Sequence, residues 1–565
     1  MSDAILWEVR VQPARSLVEL QITRTFQPGE SFSLPAWIPG SYLVREFVRG
    51  VQDLAITDEH QRTVPVEKTE KATWRVACDS PTRATLQYTV YAHELTVRTA
   101  HVDDTHAFFN GAHVFMRFPD SADAPHDIRV TPPEGWRAFV SLPLHDGAFR
   151  ADDYIHLADT VFELGDHTTR TFTVDGVPHR LIFWGDGQLP IDFPRLEADT
   201  IALIQQNKAT FGGELPYERY DFVFHISPNG YGGLEHRDST TLAVGWNHFE
   251  TEDGYLDMLT LIAHEHFHAW NGRRITPAAL QFPEFQRENY THELWVIEGF
   301  TSYYDELNTM LAGRMTRQQW IERLAKSLNA LQKVHGRHRQ ALTESSFDAW
   351  IRLYRPYEHT RNQTVSYYLK GAIVALAIDL RIQQATDNQR DLSHVLRELW
   401  RQWTTARSAY TTHDVLALIR SIAGDHCADD AQRWVTTTEE PPLEALLATQ
   451  DIRLTTDEQG TDFGFDWRAE GSAAIVSSVD EARGDDLQAL QPGDEIIAIN
   501  QRRVHAGELR ARLQSIAKNP ANASAHVLLF RLGRQRDVTI TLKSAPVIQL
   551  HDDRQTSTTP AQTDE

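Results

Sequence analysis

His264-Glu265-His266-Phe267-His268 sits inside a run, Tyr255 to Trp270, whose apolar residues recur at helical spacing. A helical wheel places Leu259, Ile262, Ala263, Phe267 and Trp270 on one side. His264, Glu265 and His268 fall on the other, while His266 joins the apolar side as a packing residue. The pattern is H-E-x-x-H. Two imidazoles one turn apart suit a single zinc ion, and the glutamate beside them can handle a proton. Thirty residues beyond His268, in Leu294-Trp295-Val296-Ile297-Glu298-Gly299-Phe300, Glu298 offers a carboxylate. It can complete a two-histidine, one-glutamate set with an open position for water. Asp305 lies two turns further on the same helix face. It can accept a hydrogen bond from the outer ring nitrogen of a ligand histidine. These residues point to a zinc-dependent hydrolase built on a mainly helical domain.

Outward from this helix, periodicity predicts helices over roughly 254–272, 292–311, 316–334, 365–385, 391–405 and 412–422. Strand-like segments at Asp221–Ile226 and Thr241–Val244 predict a small accompanying sheet. The first 170 or so residues alternate instead: Val18, Leu20 and Ile22, then Ala84, Leu86, Tyr88 and Val90, interleave with polar or small neighbours. This period of two predicts antiparallel strands in a β-sandwich or saddle-shaped sheet. Beyond about residue 450, Gly460 and Gly464 lead into a strand at 473–479, then Leu-Gln-Pro-Gly-Asp-Glu-Ile-Ile-Ala-Ile-Asn at 490–500, a helix at about 507–518 and two last strands. Residues after about 548 are polar and are expected to be disordered. The expected class is a multidomain α+β protein. It comprises an N-terminal β domain (1–172), a thermolysin-like, mainly helical catalytic domain (173–448), a C-terminal unit (449–547) and a tail (548–565). No internal repeat is visible.

Charge narrows the partners. Against 55 Lys and Arg stand 78 Asp and Glu, a formal charge of −23. Such a surface repels phosphate backbones and anionic membranes, which argues against nucleic acid. Cys78 and Cys427 alone build no disulfide framework. The opening Met1–Arg10 lacks the basic start and apolar run of a signal peptide, and no apolar stretch is long enough to span a bilayer. A cytoplasmic enzyme is expected.

Together these residues resemble the glycyl aminopeptidase family of zinc metallopeptidases (gluzincin type), relatives of the alanyl aminopeptidase and leukotriene hydrolase group. The likeness extends to Leu-Pro-Ala-Trp-Ile-Pro-Gly-Ser-Tyr-Leu-Val-Arg-Glu-Phe at 34–47, similar to that family's N-domain signature, and to Ala-Trp-Asn-Gly-Arg-Arg-Ile at 269–275. The C-terminal unit resembles a PDZ domain, which that family carries there. The resemblance implies one zinc ion per chain and removal of N-terminal residues from peptides, with small first residues (Gly, Ala) preferred. Gly232-Gly233-Leu234-Glu235-His236 is similar to the relatives' Gly-x-Met-Glu-Asn motif. It implies that Glu235 binds the substrate's free α-amino group, with Gly232 and Gly233 beside it. Tyr368-Leu369-Lys370-Gly371 is similar to their Tyr-x-Lys-Gly motif, whose tyrosine donates to the oxyanion. Spacing from Gly371 selects Tyr368, with Tyr367 as the alternative.

Trp270, Phe300 and Tyr231 could wall the pocket or belong to the core. Asp462-Phe463-Gly464-Phe465 could form a carboxylate-binding loop of the PDZ-like unit. That groove would take a peptide C-terminus or a neighbouring subunit, or the unit could simply pack against the rest. Three rival functions remain open on sequence: a zinc endopeptidase with Glu235 structural, a peptide-binding scaffold using the PDZ groove, and, as the resemblance implies, hydrolysis of a non-peptide substrate such as an epoxide. A zinc-binding scaffold has no need of Glu265, which favours hydrolysis.

Overall fold

The alternating N-terminal residues form strands with one face buried: Val18, Leu20 and Ile22 are 0–1% exposed. The computed structural model describes residues 4–187, 189–482, 490–518 and 523–556. The chain divides into two compact units. One holds Met1–Thr291, Tyr304–Met315 and Leu396–Thr411; the other holds His292–Tyr303, Thr316–Val395 and Thr412–Glu565.

In the first unit, an eight-stranded sheet is centred on Ile5–Gln12, Leu17–Phe26 and Thr82–Tyr91. Leu17–Phe26 pairs antiparallel with both of its neighbours. Trp7 packs edge-on against Tyr88 and Phe115 beneath it. The Tyr88 hydroxyl is satisfied inside this core, donating to the Val114 carbonyl at 2.7 Å and accepting from the Met116 N–H at 3.2 Å. A four-stranded sheet adjoins it in the order Arg137–Phe139, Val161–Gly165, His106–Asn110, His101–Val102.

A five-stranded sheet follows, in the order Thr168–Val174, Val177–Trp184, Tyr220–Ser227, Ser239–Gly245, Tyr231–Glu235. Its three central strands run parallel, and both outer strands, Thr168–Val174 and Tyr231–Glu235, are antiparallel to their neighbours. Helices Phe193–Thr210 and Glu252–Phe267 belong to the same unit. Buried polar groups tie this sheet to the N-terminal strands. The fully buried Glu163 carboxylate lies 2.9 Å from His225 Nε2, and Trp184 Nε1 donates to Thr105 Oγ1 at 3.0 Å. This linkage explains why the N-terminal β structure and the H-E-x-x-H helix share one unit.

The second unit is helical through its middle, with Arg317–Gln332, Leu369–Ala385, Thr412–Ala423 and Asp425–Thr436 as its longer elements. Thr316 and Gln319 close a reciprocal capping box at the start of the first. The apolar run 366–385 becomes a buried helix, as its composition predicts. C-terminal strands complete the unit. Ile452–Asp462 pairs with Lys543–Asp552. A second sheet runs Phe465–Glu470, Ala473–Val479, Glu495–Ile499, Ser524–Arg531, Arg534–Thr541 and packs on helix Ala506–Ala517 over its own apolar core.

Residues 548–556, expected in the polar tail, are instead strand to Asp552 and then one helical turn. Antiparallel pairing with residues 452–456 makes this strand, and the Asn329 side chain clamps it at Ile548. Its Nδ2 donates to the Ile548 carbonyl at 2.8 Å, and its Oδ1 accepts from the Ile548 N–H at 2.9 Å. A single side chain thereby pairs both backbone groups of a residue whose polar neighbours suggested a loop. The remainder of the expected tail, 557–565, lies outside the described residues. Among the described residues no helix is long and apolar enough to cross a membrane.

Candidate metal centre

The helix bearing the two histidines is built by ordinary rules. Thr251 caps its N-terminus, its hydroxyl accepting from the Gly254 N–H at 3.0 Å. Glu252 and Asp253 in the first turn complement the helix dipole. Met258, Leu259, Ile262, Ala263 and Phe267 are buried on the anchoring side. His266 is also buried, and it is a packing residue: its Nε2 lies 2.6 Å from the Tyr217 hydroxyl and its Nδ1 3.1 Å from Asn207 Nδ2. Burial holds its pKa well below the usual histidine value. The helix ends at Phe267, so Trp270 lies in the following turn.

His264 and His268 are oriented by different acceptors. His264 Nδ1 donates to Asp305 Oδ2 at 2.8 Å, and His268 Nδ1 donates to the Asn271 carbonyl at 2.8 Å. Each neutral ring therefore keeps its lone pair on Nε2. The two Nε2 atoms face one another at 3.2 Å. A proton shared between them would turn one ring into an imidazolium, since both Nδ1 atoms already donate. Two nitrogens set this way can share a metal cation. Two nitrogens each about 2.0–2.1 Å from a tetrahedral zinc would stand roughly 3.3 Å apart. The observed spacing fits that metal.

Glu265, Glu235 and His268 form one buried group whose ligand atoms lie within 4.8 Å of one another. Glu235 ends the outer strand, and both it and Glu265 are 5% exposed. Gly233 lets strand and helix meet: a Cβ there would overlap the Glu265 carboxyl group. The Gly233 carbonyl accepts from Arg98 at 3.0 Å. Gly40, from the stretch 34–47, passes so close to Glu235 that a Cβ would stand 2.5 Å from its carboxylate oxygen. The N-terminal signature therefore supplies backbone to this site.

A charged lattice fixes the turn after Glu235. Asp159 pairs with Arg273 at 2.8 Å, approaches His236 at 3.3 Å and accepts from the Arg237 N–H at 2.8 Å. Burial alone would favour neutral Asp159; Arg273 and His236 outweigh it and hold its pKa low. Asp238 bridges Arg274 at 2.8 Å and His156 at 3.1 Å. Within the stretch 269–275, sequence alone gives Arg273 and Arg274 no role. Two adjacent arginines just after an apolar helix were the available signal, because a buried arginine requires a carboxylate.

In the second unit, Glu298 is 2% exposed within a turn of π-helix, Trp295–Phe300, which runs on into the α-helix Thr301–Leu311. Such wide turns recur at functional sites because they re-aim a side chain. Gly299 and Gly371 cross here: a Cβ on Gly371 would stand 2.8 Å from the Gly299 Cα. The Glu-Gly and Tyr-x-Lys-Gly segments are glycine-bearing because their backbones touch. Tyr368, at the N-cap of Leu369–Ala385, has its hydroxyl 3.2 Å from that of Tyr354. Burial pushes its pKa well above the usual phenol value, and the nearby Glu298 charge adds to this. Tyr367 is fully buried and stacks on Tyr368. Tyr354 had no sequence signal.

The aromatic residues considered for the pocket wall separate. Trp270 stacks on Phe211 in the core, and Phe300 packs edge-on to Trp295. Tyr231 is 69% exposed and stacks on His248.

Residues 9–166 match the model of the Peptidase M61 N-terminal domain, and residues 257–374 match that of the M61 glycyl aminopeptidase. No curated protein matches the chain significantly. Among solved structures, the chain is similar to an aminopeptidase N family protein from Idiomarina loihiensis, with 27% identity, 98% of this chain and 100% of that chain covered, and a TM-score of 0.91. It shares a fold with an M1 zinc metallopeptidase from Deinococcus radiodurans, solved as a mutant bound to a Tyr-Ser-Ala substrate. There the identity is 18%, the coverage 78% of this chain and 95% of that chain, and the TM-score 0.50. With both family models matched in chain order over the segments that carry the motifs, this chain carries a Peptidase M61 N-terminal domain and an M61 glycyl aminopeptidase domain and is a metallo-aminopeptidase.

Proposed function

We propose that the protein removes the N-terminal residue from peptides, preferring Gly or Ala, with one zinc ion held by His264, His268 and Glu298. Support for the third ligand comes from the helical run Trp295–Leu311, which carries both Glu298 and the Asp305 that orients His264. Zinc there supplies Lewis acidity, bringing the pKa of water toward neutrality and polarising a carbonyl. Glu265 takes the proton from the attacking water and returns it to the leaving amine. Tyr368 donates a hydrogen bond to the oxyanion, as a phenol can at neutral pH. Glu235 pairs with the substrate ammonium, with Gly232 and Gly233 giving the backbone room to approach. Asp305 keeps His264 in the ligating tautomer.

The reading rests on one observation: Glu235, Glu265 and His268 share a group within 4.8 Å. Buried Arg273 already lends positive charge to Glu235; with a second carboxylate beside it, the group still favours a further cation, and a peptide's free α-amino group supplies one. An internal peptide brings no ammonium to this pair of carboxylates. Glu235→Ala tests this. Hydrolysis of alanyl aryl amides should fall at least tenfold through KM, while cleavage of N-acetylated peptides stays level or rises. An unchanged ratio of the two activities would remove Glu235 from recognition.

We further infer a three-part division, 1–172, 173–448 and a PDZ-like part from 449 that runs on through the strand Lys543–Asp552, with the enzyme working in the cytoplasm. The strand Phe465–Glu470 is the outermost of its sheet, beside helix Ala506–Ala517. That arrangement suits strand addition by a peptide ending at the Asp462–Phe465 loop. Arg510 of that helix lies over the Phe463 and Trp467 rings and brings positive charge to the loop.

A further inference from the structure

The N-terminal strands hold a second cluster with metal-ligand chemistry, on the hairpin His101-Val102-Asp103-Asp104-Thr105-His106. His101, Asp103 and His106 each offer a ligand atom within 4.8 Å of the others. His106 is fully buried, and its Nδ1 lies 3.0 Å from Glu163 Oε1. Glu163 also receives His167 Nε2 at 2.7 Å and His225 Nε2 at 2.9 Å. Three imidazole donors occupy this carboxylate, so its role toward His106 is that of an acceptor. The neutral His106 ring then carries its lone pair on Nε2, and that atom is buried without a hydrogen-bond partner. The arrangement repeats that of His264 and Asp305: a carboxylate takes the outer N–H and fixes the tautomer that ligates.

The hairpin explains only part of the remaining groups. Asp103 Oδ1 serves the turn, accepting from Thr105 N at 2.7 Å, Thr105 Oγ1 at 2.6 Å and His106 N at 3.0 Å. Its other oxygen, Oδ2, lies 3.1 Å from His101 Nε2, a spacing that two ligands of one small cation would show. His101 is 8% exposed, and its Nδ1 is likewise buried without a partner. A buried polar atom without a protein partner calls for a water or an ion beside it. Asp103 is partly exposed, which leaves a route for an ion.

We propose that His101, Asp103 and His106 form a second site for a divalent transition-metal ion, separate from the hydrolytic centre and backed by Glu163. Two imidazoles and a carboxylate favour zinc or cobalt over magnesium or calcium. The ion would brace the hairpin that Trp184 holds through Thr105.

The full-length chain, stripped with chelator and reloaded with Zn²⁺, gives the test by elemental analysis. Wild type should retain two zinc ions per chain. Asp103→Asn keeps the oxygen that forms the turn, and it should retain one, as should His101→Gln. Both should hydrolyse alanyl aryl amide within about twofold of wild type, since neither residue belongs to the hydrolytic centre. His264→Gln should lose the other ion, which separates failure of this site from failure of the zinc reading above. One ion in wild type, or two in both hairpin variants, overturns the proposal. Should either variant misfold by circular dichroism, anomalous scattering at the zinc edge from wild-type crystals decides: a peak among these three side chains supports the site, and no peak there at full zinc loading overturns it.

Discussion

Removing the Asp305 carboxylate should weaken zinc binding far more than it slows the loaded enzyme. Asp305 is placed to fix which nitrogen of His264 is free: the Nδ1 to Oδ2 distance is 2.8 Å, and the two side chains are 14% and 15% exposed. Loss of such an outer partner typically costs about 10–100-fold in metal affinity, or roughly 1.4–2.7 kcal/mol. Little water reaches the pair to replace the lost acceptor, so Asp305→Ala should fall in the upper part of that range, ~30–100-fold. Asp305→Asn keeps an acceptor oxygen without the charge and should fall between Ala and wild type. Zinc competition with a chromophoric chelator measures the affinity. Hydrolysis of alanyl aryl amide at saturating zinc measures what the loaded site can do, and it should stay within about threefold of wild type, since Asp305 acts through His264. Zinc affinity within twofold of wild type for Asp305→Ala would refute the tautomer argument.

Three further outcomes follow from the geometry. Tyr368→Phe should lower kcat about 10²–10³-fold, as removal of an oxyanion donor does, whereas Tyr367→Phe should stay near wild type; the reverse order would assign the role to Tyr367. Glu265→Gln should keep zinc yet lose about 10²–10⁴-fold in turnover, and full activity would reject the proton transfer. His156 makes the third case, a pH dependence. Burial opposes its protonation, but bonds to Asp152 and Asp238 raise its pKa to about 9. Because the folded value lies above the unfolded one near 6.5, the stabilisation is fully present below that pH and is lost as pH rises through about 9. It amounts to about 3 kcal/mol. Wild-type Tm should therefore drop between pH 6.5 and 9 more steeply than that of His156→Gln; parallel curves would contradict the pairing.

The sequence disclosed most where one segment supplied both the period and the chemistry. The helix at Glu252–Phe267 was readable because its apolar and ligand faces are written in one stretch, and Asp305 because two turns separate it from Glu298. What stayed hidden depends on distant partners. Nothing local marks Asp159 as the counter-charge of Arg273, Gly40 as the neighbour of Glu235, or Asn329 as the clamp on Ile548. The wide turn at Trp295–Phe300 also escaped prediction. Its residues read as ordinary helix, and an extra residue per turn leaves no mark in composition.

The most direct measurement is a panel of glycyl, alanyl and bulkier amino-acid aryl amides, with N-acetylated counterparts, assayed with and without chelator. Substrates bearing a free amino group should be cleaved, glycyl and alanyl best. Chelation should abolish turnover and added zinc restore it, with the acetylated series at least ~100-fold slower for want of an ammonium to pair Glu235. Equal cleavage of acetylated and free substrates, or hydrolysis that survives complete removal of metal, would contradict it.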